Sequence, residues 1–189
     1  NDIIKRSVVD SDGAIAYKLT YSVANPTKVI TKVCYSNLTM TTVIVTYTNY
    51  DNVNNRLESK TLATADASGN IYYHYLDEAA SRMDKSKRSV ADSDGCLSYT
   101  YTYSTTVTTR IIGKVGYSDN AWTTVKVTYT SYDNADNRME SKTLAAADAN
   151  GNVYYHYLDE AASRNDIIKR SVVDSDGAIA YKFTFSATT

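Results

Sequence analysis

Paired carboxylates are the first residues in this chain that could do chemistry. The sequence Asp-Ser-Asp-Gly occurs at 10–13 and returns at 92–95 and 174–177. Two carboxylates this close could serve calcium, which takes about six to eight oxygen ligands. An EF-hand-like loop also needs an acidic residue further along, and residues 14–20 contain none. The sequence therefore favours a hairpin turn in which aspartate bonds its own backbone and glycine takes a positive φ, with calcium as the minor alternative.

Histidine and cysteine are the other candidate metal ligands. His74 and His156 are the two histidines of the chain, and both stand in the context Tyr-Tyr-His-Tyr. A zinc site would need further ligands nearby, and neither Cys34 nor Cys96 lies at the spacing of a zinc finger or ribbon. We therefore expect no metal there, and a histidine ring stacked beside Tyr72 instead.

Each cysteine stands where another copy of the same sequence has a small residue. Cys34 aligns with Gly116, and Cys96 aligns with Ala14. This substitution pattern favours two packed thiols. Positions 14 and 34 are also expected to lie near each other across one hairpin, so a disulfide between successive copies is the open alternative.

The motifs of nucleophilic and phosphate chemistry are missing from the sequence. It contains no Gly-x-Ser-x-Gly elbow and no glycine-rich phosphate loop. Repetition also argues against catalysis, because an active site needs one asymmetric pocket. We predict that the chain is not an enzyme and uses no cofactor.

A repeated sequence must position these residues. Tyr73–Arg82 returns letter for letter as Tyr155–Arg164, which lies 82 positions later. The chain therefore divides into a first repeat at 1–82, a second at 83–164 and the start of a third at 165–189.

Two forms of the repeat alternate along the chain. Residues 1–18 are identical to residues 165–182, whereas the middle copy begins differently, with Met83. Stacked repeats usually end in polar caps, and the sequence contains no recognisable cap. We expect a window on a longer tandem array in which neighbouring repeats cover each other.

The composition favours strands and argues against nucleic acid. Tyrosine accounts for 18 residues, against two phenylalanines and one tryptophan, and there is one proline. Tyrosine, threonine, valine and isoleucine suit a pleated, half-buried surface. With 20 basic and 21 acidic residues the charge is nearly balanced, so we expect no nucleic-acid partner. No apolar run has the length of a membrane span.

Alternation of apolar and polar residues predicts about six short strands per repeat. Residues 76–82 instead have a helix-compatible composition, which predicts one helical turn between repeats. We therefore predict an all-β fold of tandem 82-residue repeats, whose antiparallel strands stack into a continuous or spiralling sheet. In the first repeat the strands are expected near 3–9, 15–21, 29–35, 43–48, 58–62 and 71–75.

Differences between the copies separate the two faces of these strands. Ile44 becomes Lys126 in the second copy, while Val43, Val45 and Tyr47 return as Val125, Val127 and Tyr129. The face that keeps its apolar side chains is predicted to be the inner one. In the third copy of the strand near 15–21, Phe183 replaces Tyr101 and Phe185 replaces Tyr103, so we expect the ring to matter there and the hydroxyl to matter little.

One segment resembles a known family. Tyr50-Asp51 leads through an asparagine-rich turn to Arg56 and Leu57, and the second copy runs from Tyr132-Asp133 to Met139. This pattern is similar to the tyrosine-aspartate (YD) repeats of the RHS and teneurin family. The resemblance implies β-hairpins that spiral into a continuous sheet, a secreted or cell-surface location, and roles in shells, adhesion or carbohydrate contact.

Aromatic residues on outer strips are the candidate contact sites. They could stack on sugar rings or support lateral association between chains. The residues predicted for this role are Tyr72, His74, Trp122, Tyr154 and His156.

The function expected from these patterns is structural. We predict a tandem β-repeat of a long extracellular or cell-surface protein that forms fibres or associates with itself. Its partners are then other copies or neighbouring repeats, with polysaccharide as a second candidate. The alternatives are a carbohydrate-binding or adhesin repeat, and part of an RHS-type toxin shell.

Overall fold

The fold is all-β, as the sequence predicted. Among the described residues every regular element is a strand and every assigned pairing is antiparallel. None of these residues belongs to a helix that could cross a membrane. Contacts divide the chain into two compact units, unit 1 at Asn1–Val90 and unit 2 at Ala91–Thr189. A computed structural model describes residues 2–51, 56–77, 80, 82–130, 132–133, 138–139, 141–159 and 164–185.

Unit 1 is an antiparallel sheet in which strands that follow one another in sequence lie side by side. Its strands are β1 (Ile3–Lys5), β2 (Ala16–Tyr21), β3 (Val29–Tyr35), β4 (Val43–Asp51), β5 (Arg56–Leu62), β6 (Asn70–Asp77) and β7 (Arg82–Arg88).

Unit 2 follows the same plan. Its sheet has the order β8-β9-β10-β13-β14-β15-β16, and β11 pairs with β12 in a separate short ladder. The strands are β8 (Ser98–Tyr103), β9 (Ile111–Tyr117), β10 (Val125–Tyr129), β11 (Tyr132–Asp133), β12 (Arg138–Met139), β13 (Ser141–Leu144), β14 (Asn152–Asp159), β15 (Arg164–Arg170) and β16 (Ala180–Lys182).

Most strands of the first repeat lie where the alternation predicted them. The strands expected between 15 and 75 correspond to β2–β6. The strand expected at 3–9 is shorter and ends at Lys5, because the chain bends at residues 7 and 8, just after the N–H of Arg6 donates to the carbonyl of Ile15 at 2.8 Å.

The predicted helical turn at 76–82 is wrong wherever this segment is described. Leu76 and Asp77 complete β6, and Arg82 begins β7 directly opposite Asp77. The N–H of Ala80 donates to the Asp77 carboxylate at 3.1 Å, so an aspartate side chain closes the turn of a hairpin. Local side-chain bonds of this kind compete with helix formation. Residues 78, 79 and 81 lie outside the described part of the chain.

The core of unit 1 is a row of side chains on one face of the sheet. Tyr17 lies opposite Cys34, Cys34 opposite Val45, and Val45 opposite Leu62. Cross-strand partners share a face, and the first three of these residues are buried. A single sheet needs a second layer over its apolar face. The loop that ends at the fully buried Ala14 supplies that layer.

Unit 2 has an equivalent core, made by Cys96, Tyr99, Val127 and Tyr129. Val45 and Val127 are buried on the predicted inner face, but the prediction is wrong at the neighbouring positions. Val43 and Val125, which were expected to face inward, are exposed, and Ile44 packs against the core of unit 1. The pairing skips Ile44 and Lys126, and both side chains lie beside the glycine of an aspartate loop.

Candidate functional site

Aspartate loops with one shared geometry lie over the core face. In the first loop Asp10 Oδ1 accepts hydrogen bonds from the N–H groups of Asp12 and Ala14, each at 2.9 Å. Gly13 has a φ of 81° in this loop, which glycine adopts without strain. The predicted hairpin turn is therefore confirmed. The same pair of backbone bonds forms in the loops that begin at Asp66, Asp92, Asp148 and Asp174.

In four of these loops the second carboxylate oxygen of the aspartate accepts a tyrosine hydroxyl, at Asp10, Asp66, Asp92 and Asp148. In unit 1 Tyr17 donates to Asp10, and Tyr73 donates to Asp66. Burial and the Asp66 carboxylate raise the pKa of Tyr73 to about 12. Burial opposes ionisation of Asp66, but hydrogen bonds from Tyr73 and from backbone N–H groups outweigh it and hold the pKa of Asp66 below its ordinary value.

These bonds correct the expectation that the hydroxyls on the strand near 15–21 matter little. Tyr17 and its second-copy equivalent Tyr99 both donate to an aspartate. The third copy keeps tyrosine at this position, as Tyr181. Phe183 is equivalent to Tyr101, the next residue on the same face of the strand. A hydroxyl is therefore dispensable at that position, but the copies give no such evidence for the tyrosine that bonds the loop aspartate.

A second carboxylate ties the loop to distant strands. Asp12 accepts the hydroxyl of Tyr47 at 2.6 Å and the ammonium group of Lys60 at 2.9 Å. Burial would raise the pKa of Asp12, but these two bonds outweigh it and lower that pKa. The same arrangement joins Asp94 to Tyr129 and Lys142 in unit 2.

Lysine side chains complete the cluster by lying over the tyrosine rings. The Lys32 ammonium group is 4.5 Å from the centre of the Tyr17 ring and 5.2 Å from that of Tyr47. Lys114 lies 4.0 Å from the Tyr99 ring centre in unit 2. A cation over a ring face is attracted by the ring quadrupole.

We call Asp10, Asp12, Tyr17, Lys32, Tyr47 and Lys60 the loop cluster of unit 1. Its carboxylates accept hydrogen bonds from donors of the chain itself, which supports a turn rather than a calcium loop. Within the described residues, no group of three or more histidine, cysteine or acidic side chains is placed to hold a metal ion.

The histidines contact acidic side chains rather than only aromatic ones. His74 Nδ1 lies 2.5 Å from Asp84 Oδ1, and His74 Nε2 lies 4.0 Å from Glu58 Oε2. His156 makes the matching 2.5 Å contact with Asp166. Each pair joins one strand to the next, β6 to β7 and β14 to β15. The predicted stacked ring beside Tyr72 missed these carboxylates, which become neighbours through strand pairing.

The aromatic residues predicted as surface contacts occupy two kinds of place. Tyr72 and Tyr154 are half-buried on β6 and β14, two residues before the histidines and therefore on the same face. Lys87 lies 5.1 Å from the Tyr72 ring centre, and Lys169 lies 4.6 Å from that of Tyr154. Trp122 lies in the turn between β9 and β10 with a φ of 59°, so it does not belong to either strand.

Comparison of the chain with protein-family models and with curated proteins found no match.

Both cysteines are free and fully buried, which confirms the packed-thiol interpretation. Burial raises the pKa of the Cys34 thiol to about 11 and also raises that of Cys96. Thiols of this kind carry little thiolate and are poor nucleophiles.

A cleft of about 530 Å³ opens beside the equivalent cluster in unit 2. Asp94, Lys142 and Tyr155 line it, together with the exposed Lys126. Lys142 is bonded to Asp94, and Tyr155 to Asp148. Lys142 therefore ties the loop at Asp94 to β13, and Tyr155 ties the loop at Asp148 to β14.

Sequence reasoning missed the lysines of the cluster. Lys32 and Lys60 stand in strands as ordinary polar residues, and nothing local distinguishes them. The sequence feature that could have predicted them is their recurrence in the second copy, as Lys114 and Lys142, together with Tyr129 and Asp94, the equivalents of Tyr47 and Asp12.

Proposed function

We propose that the chain is a structural segment of a long tandem β-repeat protein at the cell surface or outside the cell, which extends by adding like units. The observation that carries this proposal is that strand pairing runs across both boundaries of the sequence repeat. β6 belongs to residues 1–82 and pairs with β7, whose residues from Met83 belong to the second copy. β14 pairs in the same way with β15 at the second boundary.

The contacts at these boundaries are side-chain specific. At the first boundary His74 meets Asp84 and Lys87 lies over Tyr72. At the second boundary His156 meets Asp166 and Lys169 lies over Tyr154. At each boundary the earlier copy thus contributes a histidine and a tyrosine, and the following copy contributes the aspartate and the lysine that contact them. A sheet built this way gains stability from nearest neighbours, and its length is set by the number of copies.

The loop clusters suit the same role. They lie beside the buried core residues of each unit and place charged and hydroxyl groups there that bond within the chain. The resemblance to YD repeats agrees with a surface location and with a filament or shell built from hairpins.

A carbohydrate-binding role is the second candidate because Tyr72 and Tyr154 recur at equivalent positions of an outer strip. The lysines over both rings favour the structural role, since they cover a face on which a sugar would stack. Glycan-array binding that is lost in Tyr72→Ala and Tyr154→Ala variants would favour the carbohydrate role. Absence of binding by the unmodified chain would favour the structural one.

The proposal is tested by varying the number of 82-residue copies. Chains of one, two and three copies should unfold with free energies that rise with copy number, because each boundary adds one strand pairing. The isolated first repeat should aggregate through its open edges. An isolated repeat that stays monomeric and unfolds cooperatively with the full stability per residue would contradict the proposal. Electron microscopy of the native material should show filaments or extended particles.

A further inference from the structure

The cleft of unit 2 has two walls that come from different loops of the same unit. One wall is the aspartate loop, which contributes Ser93 and Asp94. The other is the segment 145–148, in which three alanines lead to Asp148. Its volume of about 530 Å³ falls among those of small-ligand sites, which are about 300–1,000 Å³. The cleft is therefore large enough to hold a sugar.

Lys126 lies between these walls because the strand pairing skips it. The pairing of β10 with β9 passes from Val125 to Val127, and an extra residue of this kind redirects its side chain. The Lys126 carbonyl accepts the N–H of Ala145 at 2.9 Å. A Cβ atom added to Gly95 would lie 3.1 Å from Lys126 Cε. The backbone of Lys126 is thus joined to one wall, and its side-chain stem lies against the other.

The positive charge of Lys126 is not balanced inside the cleft. Asp94 is paired with Lys142. Burial opposes ionisation of Asp148, but hydrogen bonds from Tyr155 and from backbone N–H groups, together with the charge of Arg170, outweigh it and lower the pKa of Asp148. No carboxylate among the described residues forms an ion pair with Lys126. Its exposed ammonium group is therefore available to an anionic ligand.

Two stacked rings form an aromatic side of the cleft. The ring centres of Tyr155 and Tyr157 are 6.1 Å apart, and their planes meet at 20°. The bond from the Tyr155 hydroxyl to Asp148 holds the first ring in place. The faces of aromatic rings are negative and attract the C–H groups of a sugar ring. The cleft thus combines a ring surface with one unpaired cation.

We propose that this cleft binds an acidic sugar of a polysaccharide, with the carboxylate paired to Lys126 and the sugar ring against Tyr155 and Tyr157. The exposed hydroxyl of Ser93 lines the same cleft and can bond the hydroxyls of the sugar. An acidic peptide would supply the carboxylate but not the hydroxylated ring. The inference goes beyond the proposed function, because it assigns a ligand to one unit of the array.

Unit 1 has the same loop and strand without the cation. Ile44 occupies the position of Lys126, and the pairing of β3 with β4 skips it in the same way. A Cβ atom added to Gly13 would lie 3.9 Å from Ile44 Cδ1, and the isoleucine packs against the core of unit 1. The proposal therefore assigns the acidic sugar to unit 2 and not to unit 1.

This difference between the units supplies the test. Binding of oligogalacturonate to the full chain is measured by isothermal titration calorimetry. The methyl ester of the same oligosaccharide is the matched probe, since it keeps the sugar rings and removes the charge. Lys126→Ile gives unit 2 the residue of unit 1 and should weaken binding about tenfold or more. Lys126→Arg keeps the charge and should retain most of the affinity.

The reverse exchange tests for a gain of binding. Ile44→Lys should create a second site and raise the number of oligosaccharides bound per chain. Tyr157→Leu removes a ring of the cleft and should weaken binding of oligogalacturonate. Tyr72→Ala lies in unit 1, outside the cleft, and should leave binding unchanged. Thermal denaturation shows whether each variant is folded, and the comparison of Lys126→Ile with Lys126→Arg does not depend on the result for Ile44→Lys.

Several results would overturn the inference. These are equal affinity for oligogalacturonate and its methyl ester, unchanged affinity in Lys126→Ile, and absence of binding by the unmodified chain. Oligoglutamate that binds as tightly as oligogalacturonate would show an acidic-peptide site instead. Loss of binding in Tyr72→Ala would place the sugar on the outer strip. None of these measurements varies the number of copies, so they leave the test of the structural function independent.

Discussion

Cys96 and Gly116 share one space in the core of unit 2. A Cβ atom built on Gly116 would lie 2.5 Å from Cys96 Sγ, a distance that real contacts do not reach. Unit 1 fills the equivalent space with Ala14 and Cys34, both fully buried. Each unit thus holds one sulfur and one small residue, but the sulfur comes from opposite sides of the hairpin. The two copies have exchanged the positions of these side chains while keeping the volume that the core requires.

Gly116→Ala should therefore destabilise the chain by about 1–3 kcal/mol, the usual cost of overpacking a core. Changing Cys96→Ala together with Gly116→Cys reproduces the unit 1 arrangement and should recover most of the loss. Urea denaturation followed by tyrosine fluorescence measures both. Gly113→Ala is the control on the same strand, because its nearest neighbour would lie at 3.6 Å. Equal losses from Gly113→Ala and Gly116→Ala would refute the shared-space explanation.

The tyrosine that closes each aspartate loop should be sensitive to loss of its hydroxyl. Tyr99→Phe leaves a carboxylate oxygen of Asp92 without its donor, and hydrogen bonds to charged groups contribute about 1.5–3 kcal/mol. Tyr101→Phe should change the free energy of unfolding by less than about 0.5 kcal/mol, because Phe183 occupies the equivalent position of the third copy. Thermal and urea denaturation compare the two variants. Similar losses from both would mean that the ring alone stabilises this face.

Acid should destabilise the fold through the loop carboxylates. The hydrogen bonds to Asp12 and Asp94 lower their pKa values in the folded chain, despite burial. Between that lowered pKa and the unfolded value of about 3.9, the unfolded chain binds more protons. The stabilisation that Asp12 and Asp94 provide is therefore complete above their pKa in the unfolded chain. It is lost as the pH falls through their lower pKa in the folded chain. The urea midpoint measured from neutral to acidic pH should fall in this window, and less steeply in Asp12→Asn and Asp94→Asn variants. A midpoint independent of pH would contradict the loop bonds.

Alkali should destabilise the fold by the opposite route. The pKa of Tyr73 is raised to about 12, whereas an unfolded tyrosine titrates near about 10. The stabilisation that Tyr73 provides is complete below its pKa in the unfolded chain. It is lost as the pH rises through its higher pKa in the folded chain. The absorbance of tyrosinate should show fewer groups titrating in this window in the folded chain than in urea. In Tyr73→Phe this difference should shrink, and identical titration curves in both states would refute the prediction.

The local part of the candidate site could be predicted from the sequence. The turn at Asp10 depends on residues within four positions, and Asp12, Gly13 and Ala14 all behave as that turn requires. The helical turn at 76–82 failed for the converse reason. Its composition favours helix, but β6 and β7 pair across it, and Asp77 bonds the turn. Tertiary pairing outweighs weak local propensity.

The distant part of the site could not be predicted. Asp12 and Lys60 are 48 positions apart, and Asp12 and Tyr47 are 35 apart. Their meeting depends on the register of the strands and on the loop lying over the sheet. The contact of His74 with Asp84 depends likewise on an irregularity in the pairing of β6 and β7. A shift of one residue would place these side chains on opposite faces.

The sequence by itself determined the strands, the aspartate turns and the 82-residue period, because each depends on residues that are close in the chain or simply copied. The tertiary structure decided which carboxylate meets which tyrosine and lysine, and which acidic side chain lies beside each histidine. These outcomes follow from strand register and from the strand that lies alongside.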